Sequence, residues 1–271
     1  MHETWSTDEL SQELLALWNT GQQTMPFSHR CVNFDLVDAY KIVAEVARLR
    51  RKRGERTVGR KIGFTNRSIW NRLGIAAPIW NFIYDTTVSH VVDRPSFDLN
   101  GMPEPRIEPE IVLHLASPPN PGMSQHDLLK CVDWVAPAFE IVFSIFPNWQ
   151  FTAADAAAAY GVHGALILGE RLQITGAQLE RDEQLHEFVV ELESDTGIRR
   201  DGHATDVLGG PLEALKFLTD ELARRPDCEP LGPGELVTTG TLTEAMPAKA
   251  GDAWRARFCG IPISPLELRI T

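Results

Sequence analysis

The segment Arg106-Ile107-Glu108-Pro109-Glu110-Ile111-Val112-Leu113 constrains this chain more than any other. It reads as an apolar strand interrupted by two carboxylates two residues apart, and side chains at that spacing in a strand point to the same face. Their Cα atoms lie roughly 6–7 Å apart at the usual rise per residue. Acids so close, among residues that seek burial, repel each other unless something positive lies between them. A third carboxylate, Glu140, is embedded in the same way in Ala136-Pro137-Ala138-Phe139-Glu140-Ile141-Val142-Phe143. Two kinds of partner can supply the charge. Arg106, two residues before Glu108 and on its face, could form a structural ion pair with one acid. Three acids in two apolar strands point instead to a hard divalent cation, which takes oxygen ligands.

The elements around these strands follow from periodicity. Thr7 or Asp8 is expected to cap a first helix whose apolar stripe is Leu10, Leu14, Leu15 and Trp18. A second helix is expected over about 36–50, burying Val37, Tyr40, Ile42, Val43, Val46 and Leu49. Its end, 48–53, is basic, which suits the negative pole of the helix and reads as a solvated terminus. After Gly59, short strand-like runs fall at 58–64, 82–88, 107–115, 132–145, 165–168, 188–193, 236–239, 253–258 and 265–270. Turn-rich segments such as Asn100-Gly101-Met102-Pro103 separate them, and helices are expected at 124–130, 153–160 and 212–224. Strands and helices do not alternate regularly, which argues against a doubly wound parallel sheet. The expected class is α+β, with a helical N-terminal region over 1–57 packed on a β-rich catalytic domain over 58–271.

Charge and cysteine content narrow the functions. Lys and Arg total 26 against 37 Asp and Glu, a formal charge of -11. That balance opposes nonspecific binding to nucleic acid or to an anionic membrane, both of which need a basic field. Cys31, Cys131, Cys228 and Cys259 form no Cys-x-x-Cys pair, so zinc-ribbon and thioredoxin-like readings fail on spacing. The opening residues lack a basic then apolar leader, and no apolar run approaches membrane-spanning length. A cytoplasmic, reduced protein is expected.

Further residues carry candidate chemistry. Lys61 sits in the apolar segment Arg60-Lys61-Ile62-Gly63-Phe64, where burial would tune it for proton transfer, unless it snorkels out from a strand edge. Thr238-Thr239-Gly240-Thr241 could offer hydroxyl and N–H donors to an anionic ligand, or could be turn chemistry alone. His163 could act as a base near neutral pH or play a structural part. Trp80 and Phe82 could wall the apolar tail of a ligand or simply pack in the core.

Taken in order, Lys61-Ile62-Gly63-Phe64-Thr65, Glu108-Pro109-Glu110, Phe139-Glu140-Ile141-Val142, Leu168-Gly169 and Thr239-Gly240-Thr241 resemble the fumarylacetoacetate hydrolase superfamily. Within it they are most similar to the branch of 2-keto-4-pentenoate hydratases and 4-oxalocrotonate decarboxylases. The resemblance covers nearly the whole chain, through Pro247 and Gly251-Asp252. It implies a mixed β-roll, a Mg²⁺ or Mn²⁺ ion held by Glu108, Glu110 and Glu140, and Lys61 as the proton-transfer residue. It places Gly240 and Thr241 in a loop for the substrate carboxylate. Arg106 and Trp80 are further substrate-binding candidates. It also implies a homo-oligomer acting on a small 2-oxo acid, in the catabolism of aromatic-type compounds.

The expected reaction is hydration of a 2-hydroxydienoic or 2-oxo-enoic acid to a 4-hydroxy-2-oxo acid. Decarboxylation of a 2-oxo-3-enedioate ranks second. C–C hydrolysis of an acylpyruvate and keto-acid binding without catalysis follow. Hydrolytic members carry a His-x-x-Glu pair, and here His29 leads to Val32 and Asn33, and His90 to Asp93. One departure bears on the water-adding step: hydratases of the branch carry Pro-Asp where this chain has Pro78-Ile79. The segment 89–105 offers no match.

Overall fold

Reciprocal capping starts the first helix. The computed structural model describes residues 5–67, 70, 77–174, 182–225 and 227–271; the first four residues, part of the start read above for a leader, lie outside these. Ser6, rather than Thr7 or Asp8, is the N-cap of α1 (Thr7–Leu17). Its hydroxyl accepts from the Glu9 N–H while the Glu9 carboxylate accepts from the Ser6 N–H, so two orphan donors are satisfied together. After α2 (Phe27–Arg30), Asp35 caps α3 (Leu36–Lys52), which buries Tyr40, Ile42, Val43 and Val46 and packs on α1. Val37, expected on the buried side of α3, is exposed.

From β1 (Thr57–Gly63) onward strands dominate. They are β2 (Ile79–Tyr84), β3 (Val88–His90), β4 (Ser96–Phe97), β5 (Arg106–Leu115), β6 (Val132–Val142), β7 (His163–Leu168) and β8 (Leu172–Gln173). Then follow β9 (Val189–Ser194), β10 (Arg199–His203), β11 (Leu236–Thr238), β12 (Met246–Pro247), β13 (Ala253–Cys259) and β14 (Leu266–Ile270). Helices α4 (Gln125–Leu129), α5 (Ala153–Ala158), α6 (Asp182–Glu187) and α7 (Pro211–Ala223) intervene. Among the described residues one sheet runs β2-β1-β11-β5-β6-β7-β3, with β12 on β5 and β8 on β6, and a second runs β10-β9-β13-β14-β4. Pairing is mixed: β1 and β11, and β3 and β7, are parallel, whereas β5 pairs antiparallel with both β6 and β11. The class is α+β.

Several element ends differ from the sequence reading. The strand expected over 82–88 begins at Ile79 and ends at Tyr84, because Asp85–Thr87 turns in a 3₁₀ conformation, with the Asp85 carboxylate accepting from the Arg56 N–H. The strand expected to reach 145 stops at Val142. β5 and β6 lie in the middle of the large sheet and are buried along most of their length, which is why their sequences are near-continuous apolar runs. One face meets α7 and the second sheet through Ile111, Leu113, Phe139 and Ile141. Val142 and Phe143, at the end of β6, join α1, α3 and α5 in another cluster.

A single carboxylate ties α2 to α5, the helix that leads into β7. Asp155 is fully buried in α5; its Oδ2 accepts from the N–H and hydroxyl of Thr152, at 2.9 and 2.7 Å, and from the Ser28 hydroxyl at 2.6 Å. Its Oδ1 accepts from the Ser28 N–H at 2.9 Å, so α2 is stitched to α5. The helix expected over 153–160 stops at Ala158, because Tyr160, Gly161 and Val162 take left-handed φ values of 60°, 61° and 58°. This turn delivers His163 to β7. Asp155→Ala leaves several buried donors without an acceptor, and we expect a loss of about 3 kcal/mol. Urea unfolding with an unchanged slope reads this directly; a loss below about 1 kcal/mol contradicts the role.

Candidate metal centre and active site

The register of β5 against β6 brings the acids together. Glu108 lies directly opposite Glu140, and Glu110 opposite Ala138, so all three carboxylates rise from one patch of one face. An oxygen from each lies within 4.8 Å of the others. Glu110 and Glu140 are fully buried and Glu108 half-buried. Lys61, on β1, reaches the same point: its Nζ donates to Glu140 Oε2 at 3.1 Å, and only 2% of the residue is exposed. It does not snorkel to the surface. Gly161 allows this approach, since a Cβ there would stand 2.9 Å from Lys61 Cδ.

Each carboxylate has a different environment. Burial, which pushes the Glu140 carboxyl up, is outweighed by the Lys61 charge and by His163, so Glu140 is held below the ordinary carboxylate range. Burial pushes Glu108 up to about 7 despite Lys61, with repulsion from Glu140 adding to it. Glu110 is raised well above its ordinary value by burial and by its two acidic neighbours. Burial works against the Lys61 ammonium, but Glu140, Glu108 and Glu110 together hold it above its usual value. The lysine is therefore held as an ammonium.

A cavity of about 430 Å³ opens onto this cluster. Glu108, Glu110, Lys61, Thr241 and Arg106 line it. Arg106 lies over the Trp149 ring at 4.2 Å, and its charge acts on Glu108. The Thr241 hydroxyl donates to the Thr243 carbonyl at 2.9 Å. Gly240 plays a different part from a substrate-carboxylate donor: its N–H points to Glu110 Oε2 at 3.1 Å and fixes that acid. Its φ of +97° and a virtual Cβ 1.9 Å from Thr65 Oγ1 both demand glycine.

Trp80 and His163 lie off the cavity. Trp80 is a core residue stacked on Tyr40 at 5.1 Å. Strand alternation turns Ile79 toward the ligand space and Trp80 away from it. The apolar wall is formed by Phe64, Ile79, Trp149 and Phe151. His163 does not line the cavity: Nδ1 contacts Glu140 Oε1 at 2.7 Å and Nε2 contacts Thr87 Oγ1 at 2.9 Å. It orients a carboxylate rather than meeting a substrate, and burial lowers its pKa despite Glu140. Thr87 and Phe151 gave no local sequence signal, because their place depends on which strands and loops become neighbours.

The residues fit a divalent cation. Once Glu108 and Glu110 give up their protons, three carboxylates and one ammonium carry two net negative charges in a buried space, which one divalent cation cancels. Glu110 Oε1 is buried with no hydrogen-bond partner among the described residues, an oxygen that such an ion would take.

Residues 78–270 match the description of the fumarylacetoacetate (FAA) hydrolase C-terminal family. The chain belongs to that family. It is 31% identical to a 4-oxalocrotonate decarboxylase of Pseudomonas putida over 225 residues, covering 83% of this chain and 82% of that protein. It is 28% identical to a 2-hydroxyhexa-2,4-dienoate hydratase of Comamonas testosteroni over 242 residues, 89% of each. Its fold is similar to that of the 4-oxalocrotonate decarboxylase from Pseudomonas putida G7 complexed with magnesium and adipate. There the TM-score is 0.86 at 23% identity, over 99% of this chain and 100% of that one.

Glu108 and Glu110 hold protons that a bound cation would displace, so cation affinity rises as pH climbs through about 7. With the Glu108 pKa raised by folding, stability present below the ordinary carboxylate range is lost in the cation-free protein as pH rises through about 7. A cation offsets that loss. The gain in melting temperature on adding it is expected to be larger at about pH 8 than at about pH 6. Thermal melts with and without chelator check this, and equal gains contradict it.

Proposed function

We propose that this chain is a divalent-cation-dependent lyase that hydrates 2-hydroxydienoic or 2-oxo-enoic acids. The observation that carries the reading is the convergence of Glu108, Glu110, Glu140 and Lys61 at one end of a partly apolar cavity. The likeness to a 2-hydroxyhexa-2,4-dienoate hydratase supports it. Glu108, Glu110 and Glu140 would hold Mg²⁺ or Mn²⁺, and the fold neighbour complexed with magnesium agrees with that choice. When bound, such an ion supplies Lewis acidity toward the C1 carboxylate and C2 oxygen of a 2-oxo acid.

The chain's own residues do the rest. Lys61 rests as an ammonium and delivers a proton to the far carbon of the dienol, while the C2 hydroxyl proton is lost, giving the 2-oxo-3-enoate. Water adds at C4, conjugated to the ketone, and the product is a 4-hydroxy-2-oxo acid. Arg106 and Thr241 lie at the cavity where the acid enters, and Phe64, Ile79 and Phe151 exclude water from the tail. His163 and Gly240 hold Glu140 and Glu110 in place. We take residues 1–57 as a helical region packed on a catalytic β-roll over 58–271, in a cytoplasmic homo-oligomer. Among the described residues no helix is long and apolar enough to cross a membrane.

One observation favours a second reading, decarboxylation of a 2-oxo-3-enedioate. Ile79 lines the cavity where hydratases of this branch carry an aspartate, and a decarboxylase needs the cation and lysine but less handling of water. The decarboxylase relative accords with it. Incubation of the Mg²⁺- or Mn²⁺-loaded protein with 2-hydroxyhexa-2,4-dienoate and with 4-oxalocrotonate, followed by chromatography of products, separates the two. Hydration is expected; CO₂ release without a 4-hydroxy-2-oxo product would establish the second reading instead, and no turnover of either would sink both.

Variants assign the roles. Glu140→Gln is expected to weaken cation binding and abolish turnover in a folded protein. Lys61→Ala is expected to keep the cation but lose deuterium exchange into pyruvate. His163→Ala is expected to cost about tenfold to a hundredfold in cation affinity. Unchanged exchange by NMR in Lys61→Ala removes the lysine from the mechanism.

A further inference from the structure

The basic end of α3 does not lie wholly in solvent, as its sequence implies. Arg50 is 3% exposed; its Nε donates to Glu55 at 3.0 Å, and its guanidinium lies over Tyr84 at 3.8 Å and Trp18 at 4.7 Å. It lines a cleft of about 310 Å³ that shares no lining residue with the substrate cavity. Arg53 and Arg94 line the same cleft, and no acidic side chain among the described residues pairs with either. The acids there are already engaged. Glu55 is bound to Arg50 and Thr86, and Asp98 accepts from the Asn100 N–H at 2.8 Å.

Three guanidiniums in one cleft reverse the local sign of a chain whose formal charge is -11. The helix dipole accounts for basic residues at the end of α3, but not for the burial of Arg50. Nor does it account for Arg94, which comes from the segment between β3 and β4. The rest of the wall includes Trp18, Phe97 and Met102. A guanidinium group matches a carboxylate with two parallel N–H donors, and an aromatic and thioether wall takes a short carbon skeleton.

We propose that this cleft is a second ligand site, for a small organic carboxylate, and that its occupancy is felt at the metal centre. The connection is on the cleft floor. Thr87 lines the cleft, its Oγ1 bonds His163 Nε2 at 2.9 Å, and His163 Nδ1 bonds Glu140 Oε1 at 2.7 Å. A ligand that shifts Thr87 shifts a carboxylate of the cation site, and the coupling is reciprocal: bound cation changes carboxylate affinity by the same factor.

Benzoate is a suitable probe, used with the full chain loaded with Mg²⁺ and saturated with oxalate so that the catalytic cavity is filled. Calorimetry is expected to show a single benzoate site per chain. In the Arg53→Gln, Arg94→Gln double variant its affinity drops by about tenfold or more while kcat is unchanged. Benzoate binding persists in Glu108→Gln, so failure of the cleft and failure of the catalytic reading are told apart. Absence of benzoate binding with oxalate in place, or equal affinity in the double variant, overturns the site. Mg²⁺ affinity that is the same with and without saturating benzoate overturns the coupling.

Discussion

Repulsion among Glu108, Glu110 and Glu140 is the constraint on which the rest of this structure depends. Buried like charges at this distance raise one another's pKa and destabilise the fold unless they are compensated. Lys61 compensates one of them, and its hydrogen bond to Glu140 sorts the trio into one acid held low and two held high. Giving up the protons of those two leaves the net negative charge that a divalent cation would meet, and the lysine within the trio is held as an ammonium. Stability and function are therefore in tension at the same few atoms, and the bound ion is expected to relieve that tension.

The fold answers this constraint with rigidity. The acids stand on the two central strands of the large sheet, where register is fixed by packing on both faces. Around them the supporting contacts come from elements far apart in the chain: β7 through His163, the residues after β11 through Gly240, and the left-handed turn after α5 through Gly161. Asp155 anchors that turn's helix to α2. The N-terminal helices thus take part in positioning the lysine, although none of their residues lines the substrate cavity.

Legibility of the sequence followed the contrast between a residue and its surroundings. Acids in an apolar run stand out, so Glu108, Glu110 and Glu140 were readable, and their apolar strands were found nearly to their ends. Trp80 was misplaced for the opposite reason. In β2 every residue is buried, so no polar alternation tells Ile79 from Trp80, and only the pairing with β1 decides which faces the cavity. His163 was recognised as chemically able, but its partners come from β6 and the turn before β3, and nothing local reveals them. Short polar strands such as β10, Arg199–His203, were invisible to hydrophobic periodicity because their neighbours, not their composition, make them strands. The basic end of α3 was read correctly for its dipole and, Arg50 apart, for its exposure; the rings that cover Arg50 arrive from elsewhere.

The most direct measurement of the central claim is anomalous diffraction from crystals of the protein grown with Mn²⁺. A single strong peak is expected between β5 and β6, within coordination distance of carboxylate oxygens from Glu108, Glu110 and Glu140 together. Their carboxylates turned apart, or manganese bound elsewhere with this cluster left empty, would contradict the account.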